Sequence, residues 1–304
     1  MHATIVAACL AALLHTAAGA VPMPQRAAPQ SPVIRIALVA DPHVNSATSG
    51  DEANYKARFM RVIAEVNAAH VSLVLIAGDL TQSGKPEQFA DFRELIEGFQ
   101  SPVRVVCGNH DVGQKVGIAN AKPGAGVTAD RVAQFEALFG TSFYTQLWEG
   151  VRIIGINTPI MGSGLPSEAR QWDFLQRELM PSAAPGVPIV LLTHYPLYIA
   201  APEEPGGIYW NVEPAPRARL LSLIKKSGHV LAVLSGHLHR PLANKTADGV
   251  LLYTSPPVSF GLPAGKQPEG WTLVTITPAA RAVQTEFHAI PHLAPRLAPV
   301  LGAD

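Results

Sequence analysis

Five short apolar runs in this chain each stop on a polar cluster, and that pattern limits the fold more than any other feature. Val33 to Ala40 ends on Asp41-Pro42-His43. Val71 to Ala77 ends on Gly78-Asp79, and Val103 to Cys107 on Gly108-Asn109-His110-Asp111. Ile189 to Thr193 ends on His194, and Val230 to Leu234 leads to Gly236-His237-Leu238-His239. Continuous apolar runs of this length read as strands buried on both faces, the habit of parallel sheets. Between them lie helical patterns. Over Tyr55 to Ala69, Phe59, Val62, Ile63 and Val66 share one face. Pro86 to Phe99 opens on the proline that helix starts tolerate. Further helices are expected near 129–139, from Ser167 (as N-cap) to Leu179, and over 217–226.

Short strands are expected near 143–147 and 151–157, then at 250–254, 271–277 and 281–287. Residues 112–128 and 196–216 read as long irregular segments. Early βαβ alternation followed by late strands predicts one α/β domain with mixed pairing, over residues 33–288. Residues 289–304 read as a loose Pro/Ala-rich tail.

The N-terminus reads differently. Ala3 to Leu14 is nearly all apolar, and Ala18-Gly19-Ala20 fits a small-x-small cleavage site. Residues 1–20 are therefore expected to be a signal peptide and 21–32 a Pro-rich linker, placing the mature chain in the periplasm or outside the cell. No later apolar run reaches the ~18 residues of a membrane span. Of the 2 cysteines, Cys9 and Cys107, cleavage would leave Cys107 alone. The chain has 304 residues, with 23 basic against 23 acidic. That balance gives no basic excess for binding a nucleic-acid polymer.

In open α/β sheets, sites form outside the carboxyl ends of strands. Convergence of the five ends would gather five His, three Asp and one Asn. Imidazole suits Zn, Fe or Mn, and carboxylates suit harder ions. Asp41 and His43 lie two apart, as do His237 and His239. A strand continuing to residue 43 would point the first pair to one side. The ligands are too many for one four-coordinate ion, so two metals are the economical reading. Each cluster alone has a plainer meaning. Asp41-Pro42 and Gly108-Asn109 could be turns, and His194 alone a packed histidine.

In this order, the motifs Asp-x-His, Gly-Asp, Gly-Asn-His-Asp, a later His and Gly-His-x-His resemble the calcineurin-like metallophosphoesterases, over about residues 33 to 260. The resemblance implies a four-layer α/β/β/α sandwich of two mixed sheets flanked by helices, with two metal ions (Mn, Fe or Zn). By motif, Asp41, His43, Asp79 and His239 would hold one ion. Asp79, Asn109, His194 and His237 would hold the other. His110 would approach the scissile phosphate, oriented by Asp111. Thr81 stands where purple acid phosphatases carry a ligating Tyr. The sequence looks more like the bacterial cyclic-nucleotide and glycerophosphodiester phosphodiesterases.

The implied activity is hydrolysis of a small phosphodiester, by in-line attack of a hydroxide bridging the ions. Phosphomonoesterase and nucleotide pyrophosphatase are the alternatives. A non-catalytic scaffold or binding protein of the same fold would be expected to have broken motifs. Arg240, Tyr195, Tyr198, Tyr209, Trp210 and Asn211 are candidate substrate contacts.

Overall fold

A computed structural model of the chain describes residues 33–181 and 186–293. The expected signal peptide, linker and most of the Pro/Ala-rich tail lie outside the described residues.

The apolar runs form the expected strands. The first sheet holds β1 (Ile34–Val39), β2 (Leu73–Ala77), β3 (Val103–Val106), β10 (Gly270–Thr277) and β11 (Ala282–Ala289) in the order β11-β10-β1-β2-β3. β1, β2 and β3 run parallel, and β10 pairs antiparallel with β1 and β11. The second sheet holds β4 (Tyr144–Trp148), β5 (Val151–Gly155), β6 (Ile189–Leu192), β7 (Val230–Ser235), β8 (Leu242–Lys245) and β9 (Leu251–Thr254), ordered β4-β5-β6-β7-β9-β8. Its inner four strands are parallel and its two edges antiparallel.

Alternation along each strand sorts the core into layers, because successive side chains point to opposite faces. Ile34, Ile36 and Leu38 of β1 pack with Leu73 and Leu75 of β2 against Ile153, Val190, Leu192 and Leu234 of the second sheet. Ala37, Val39, Val74 and Ile76, one residue out of phase, face Phe59, Val62 and Val66 of α1 (Tyr55–Ala68) and Phe89 and Phe92 of α2 (Pro86–Ile96). The second sheet turns Ile154, Leu191 and Val233 onto Trp172 and Leu175 of α5 (Pro166–Glu178) and Leu220 and Ile224 of α6 (Pro214–Ser227). Two mixed sheets flanked by helices result. Full burial of each large aliphatic contributes roughly 1.5–3 kcal/mol.

Two more helices follow β3: α3 (Asn109–Val112), which carries site residues, and α4 (Ala129–Phe139). Thr128 caps α4 by accepting from the Arg131 N–H at 3.3 Å. Ser167 does not cap α5. Pro166 occupies the first turn and Leu165 the extended position before it, so Ser167 lies inside the helix. A proline lacks the N–H that the first turn leaves unbonded, so it starts a helix without penalty. Pro214 likewise starts α6 three residues before the expected 217. The tail also begins packed: Ala289 closes β11, Ile290 is buried, and its N–H donates to the Glu269 carbonyl at 2.9 Å.

Candidate metal centre

The turns after β1, β2, β3, β6 and β7 meet at one place. Asp41, His43, Asp79, Asn109, His194, His237 and His239 are all buried there. The spacing of Asp41 and His43 does not act through a continued strand. β1 ends at Val39, and both residues adopt left-handed backbone, with φ of 52° and 46°. Asp79, His237 and His239 do the same, at 48°, 72° and 53°. Each left-handed non-glycine residue costs roughly 1–2 kcal/mol, and such strain gathers where function requires it. Two glycines make room. A Cβ on Gly236 would stand 2.7 Å from Asp41 Oδ2, and one on Gly108 would overlap the carboxylate and N–H of Asp79.

Four imidazoles are each fixed by one outer nitrogen. His43 Nδ1 donates to Gln82 Oε1 at 2.7 Å, and His239 Nδ1 to the Phe260 carbonyl at 2.6 Å. His194 Nδ1 donates to the Ala77 carbonyl at 2.8 Å, and His237 Nε2 to the Tyr209 carbonyl at 3.1 Å. This is how metal-binding histidines are commonly held in one tautomer. The inner nitrogens then carry lone pairs, and they face one another. His43 Nε2 lies 3.2 Å from His239 Nε2, and His237 Nδ1 lies 3.2 Å from His194 Nε2.

Asn109 donates its amide N–H to the Tyr209 hydroxyl at 2.8 Å, which turns its Oδ1 inward to 2.9 Å from His194 Nε2. Asp79 Oδ2 sits between the two histidine pairs, 3.5 Å from His43 Nε2 and 3.3 Å from His194 Nε2. Asp41 Oδ1 is 3.8 Å from His239 Nε2. Inward-facing acceptors without donors between them repel unless a cation or a proton joins them. The donor set therefore fits metal. Asp41, His43, Asp79 and His239 form one possible ligand group and Asp79, His194 and His237 a second, sharing Asp79.

Protonation agrees with this reading. Burial holds His43 and His237 well below the usual imidazole range and lowers His239 to about 4, so all three stay neutral. Burial opposes charge on His194 too, but the Asp79 carboxylate outweighs it and raises the imidazole to about 9. Asp79 is held well below the usual carboxylate range. Burial opposes this, but His194 and His110 prevail. Burial and the nearby Asp79 charge push Asp41 upward, against the pull of His194.

Residues 34–241 match the family model described as calcineurin-like phosphoesterase. The chain belongs to this family. A probable glycerophosphodiester phosphodiesterase (GpdQ) of Arcobacter nitrofigilis is 30% identical over 173 residues, covering 55% of this chain and 56% of that protein. A 3',5'-cyclic adenosine monophosphate phosphodiesterase (CpdA) of Haemophilus influenzae is 31% identical over 91 residues, 29% of this chain and 33% of its own. The chain thus spans about half or less of these two curated relatives. A dimetal phosphatase from Danio rerio has the same fold, with a TM-score of 0.52 at 12% identity, over 80% of this chain and 92% of that one.

Of the two remaining motif residues, His110 and Asp111, the structure departs from the expectation in one contact. Asp111 does not orient the His110 ring. Its carboxylate accepts from the N–H groups of Leu80, Thr81 and Gly108 and from the Thr81 hydroxyl, at 2.8–3.1 Å. Asp111 therefore ties the turn after β2 to the start of α3. The His110 imidazole is held instead by the Gln82 carbonyl, 2.6 Å from Nδ1, and its ring stands edge-on to His43 at 4.6 Å. The His110 N–H donates to Asp79 Oδ1 at 2.8 Å, fixing the shared carboxylate from behind. Gln82 escaped the sequence reading, since nothing in its surroundings sets it apart. Tyr209 was legible only as an aromatic in the irregular segment, yet it holds both Asn109 and His237.

Proposed function

We propose that this calcineurin-like phosphoesterase hydrolyses small phosphodiesters with a pair of metal ions held by Asp41, His43, Asp79 and His239 on one side and Asp79, Asn109, His194 and His237 on the other. The observation that carries this is the donor set: seven inward-facing acceptors with one carboxylate, Asp79, shared between both groups. Four imidazoles, two carboxylates and an amide oxygen suit Mn, Fe or Zn. Bound there, two such ions would supply Lewis acidity at phosphorus and a water acidified for attack. The chain's own residues supply position and protons. The Gln82 carbonyl keeps the proton on His110 Nδ1, so Nε2 is the atom that exchanges a proton with a leaving oxygen or stabilises its charge. Asp111 keeps the two turns that carry Asp79 and His110 in register.

The relatives named as phosphodiesterases support a diester over a monoester substrate, as does charge. Two divalent ions less the carboxylates of Asp41 and Asp79 would leave +2, which a hydroxide would reduce to about +1, the match of a singly charged diester. The expected result is a higher kcat/KM for an aryl phosphodiester than for the matching monoester, with Mn, Fe or Zn present. A preference for the monoester would move the assignment to a phosphatase, and one for nucleoside diphosphate derivatives to a pyrophosphatase. A scaffold without turnover is disfavoured because all seven ligating residues remain together.

The apolar segment Ala3 to Leu14 and Ala18-Gly19-Ala20 support export with a mature start at Val21. Among the described residues no helix is long and apolar enough to cross a membrane. N-terminal sequencing from a secretion-competent host tests export, and an intact Met1 on cytoplasmic protein would refute it.

A further inference from the structure

Beside the metal centre lies an open cavity of about 350 Å³, lined by Trp210, Leu238, Arg240, Leu262 and Pro263. Its walls are tied to the ligands. Leu238 stands between His237 and His239 in the chain, the Leu262 N–H donates to the His239 carbonyl at 2.8 Å, and the Trp210 ring lies 5.7 Å from the His237 ring. Trp210 is braced edge-on against Tyr209 at 4.9 Å yet remains 38% exposed. Arg240 is exposed and has no hydrogen bond or ion pair among the described residues. Four walls are apolar, and the single polar wall is a planar cation without a partner.

We propose that this cavity binds one ester group of the substrate and selects a planar aromatic group over a polyol, with Trp210 and Arg240 as the specificity residues. This rests on the phosphodiesterase reading and deepens it. An indole face and a guanidinium both stack on flat π-systems. Such stacking is worth roughly 10- to 100-fold in affinity. A glyceryl group here would lose water from its hydroxyls and meet only one polar partner, so the cavity disfavours it.

The test compares kcat/KM for bis(4-nitrophenyl) phosphate and for glycerophosphoethanolamine in the metal-loaded protein, in Trp210→Ala, Trp210→Phe and Arg240→Ala. The aromatic-to-glyceryl ratio should fall at least ~10-fold in Trp210→Ala, recover largely in Trp210→Phe, and fall about 3- to 10-fold in Arg240→Ala. Metal content is measured alongside. If Trp210→Ala loses metal, the exposed Arg240 variant decides. Calorimetric binding of phenylphosphonate against methylphosphonate, which share a headgroup, gives a readout independent of turnover. The phenyl compound should bind at least ~10-fold tighter, and the variants should erase that preference. Unchanged ratios in both variants overturn the cavity's role and leave the phosphodiesterase reading standing. Metal-loaded wild-type protein that hydrolyses neither diester overturns that reading, and the phosphonate preference then judges the cavity by itself.

Discussion

His110 differs from the four histidines around it because none of its contacts requires it to be a ligand. Its Nδ1 is taken by the Gln82 carbonyl, and it is only half-buried. His110→Ala should therefore keep its metals while kcat falls by ~10²- to 10⁴-fold, the usual worth of a placed acid or base. If the ring protonates the leaving oxygen, the fall should be large for alkyl diesters and small for nitrophenyl ones. Equal falls would assign it to charge stabilisation, and loss of metal would show it to be a ligand. The motif histidines could be found in the sequence because each follows an apolar run. Their outer partners could not. Ala77, Tyr209 and Phe260 act through backbone carbonyls, which carry no side-chain signature.

At the scale of elements, the site depends on turns that hold no slack. Gly108 precedes α3, and its missing side chain lets Asp79 lie against the backbone. Gly108→Ala should push the shared carboxylate out of place. The expected result is loss of bound metal and a drop in unfolding free energy of about 1–3 kcal/mol in a denaturant titration. Wild-type metal content in this variant would show that the close approach is not required. Sequence patterns revealed the long parallel strands and the helices with an apolar stripe, because burial on one or two faces imposes a period. They did not reveal α3, whose four residues are too few for a period, nor β8, a short edge strand alternating between half-buried and exposed. The family motif assigns Asp111 to His110, with a helix N-terminal or turn residue as the alternative. Its backbone N–H bonds show it to be a turn-holding residue.

Across the whole molecule, the centre draws ligands from both sheets: Asp41, Asp79 and Asn109 follow strands of the first, and His194, His237 and His239 strands of the second. Metal binding there would therefore also link the sheets, and its free energy would add to folding. The metal-free protein should show the cost through pH. His239, held at about 4 against an ordinary 6.5, contributes fully above pH 6.5 and loses that contribution as pH falls through 4. His194, raised to about 9, contributes fully below pH 6.5 and loses it as pH rises through 9. The chelated protein should thus lose stability as pH rises from 6.5 to 9. Bound metal should flatten the alkaline side, because a ligating His194 has already given up its proton. A midpoint that climbs steadily from pH 6.5 to 9 in chelator would contradict this.

The most direct test of the account is elemental analysis of purified wild-type protein and Asp79→Ala after supply of Mn, Fe and Zn. Asp79 Oδ2 lies between the two histidine pairs, so one substitution reaches both groups. The account predicts about two ions per wild-type chain and depletion of both in the variant, with hydrolysis lost alongside. A wild-type protein that carries no metal yet hydrolyses phosphoesters, or an Asp79→Ala variant that keeps both ions, would contradict it.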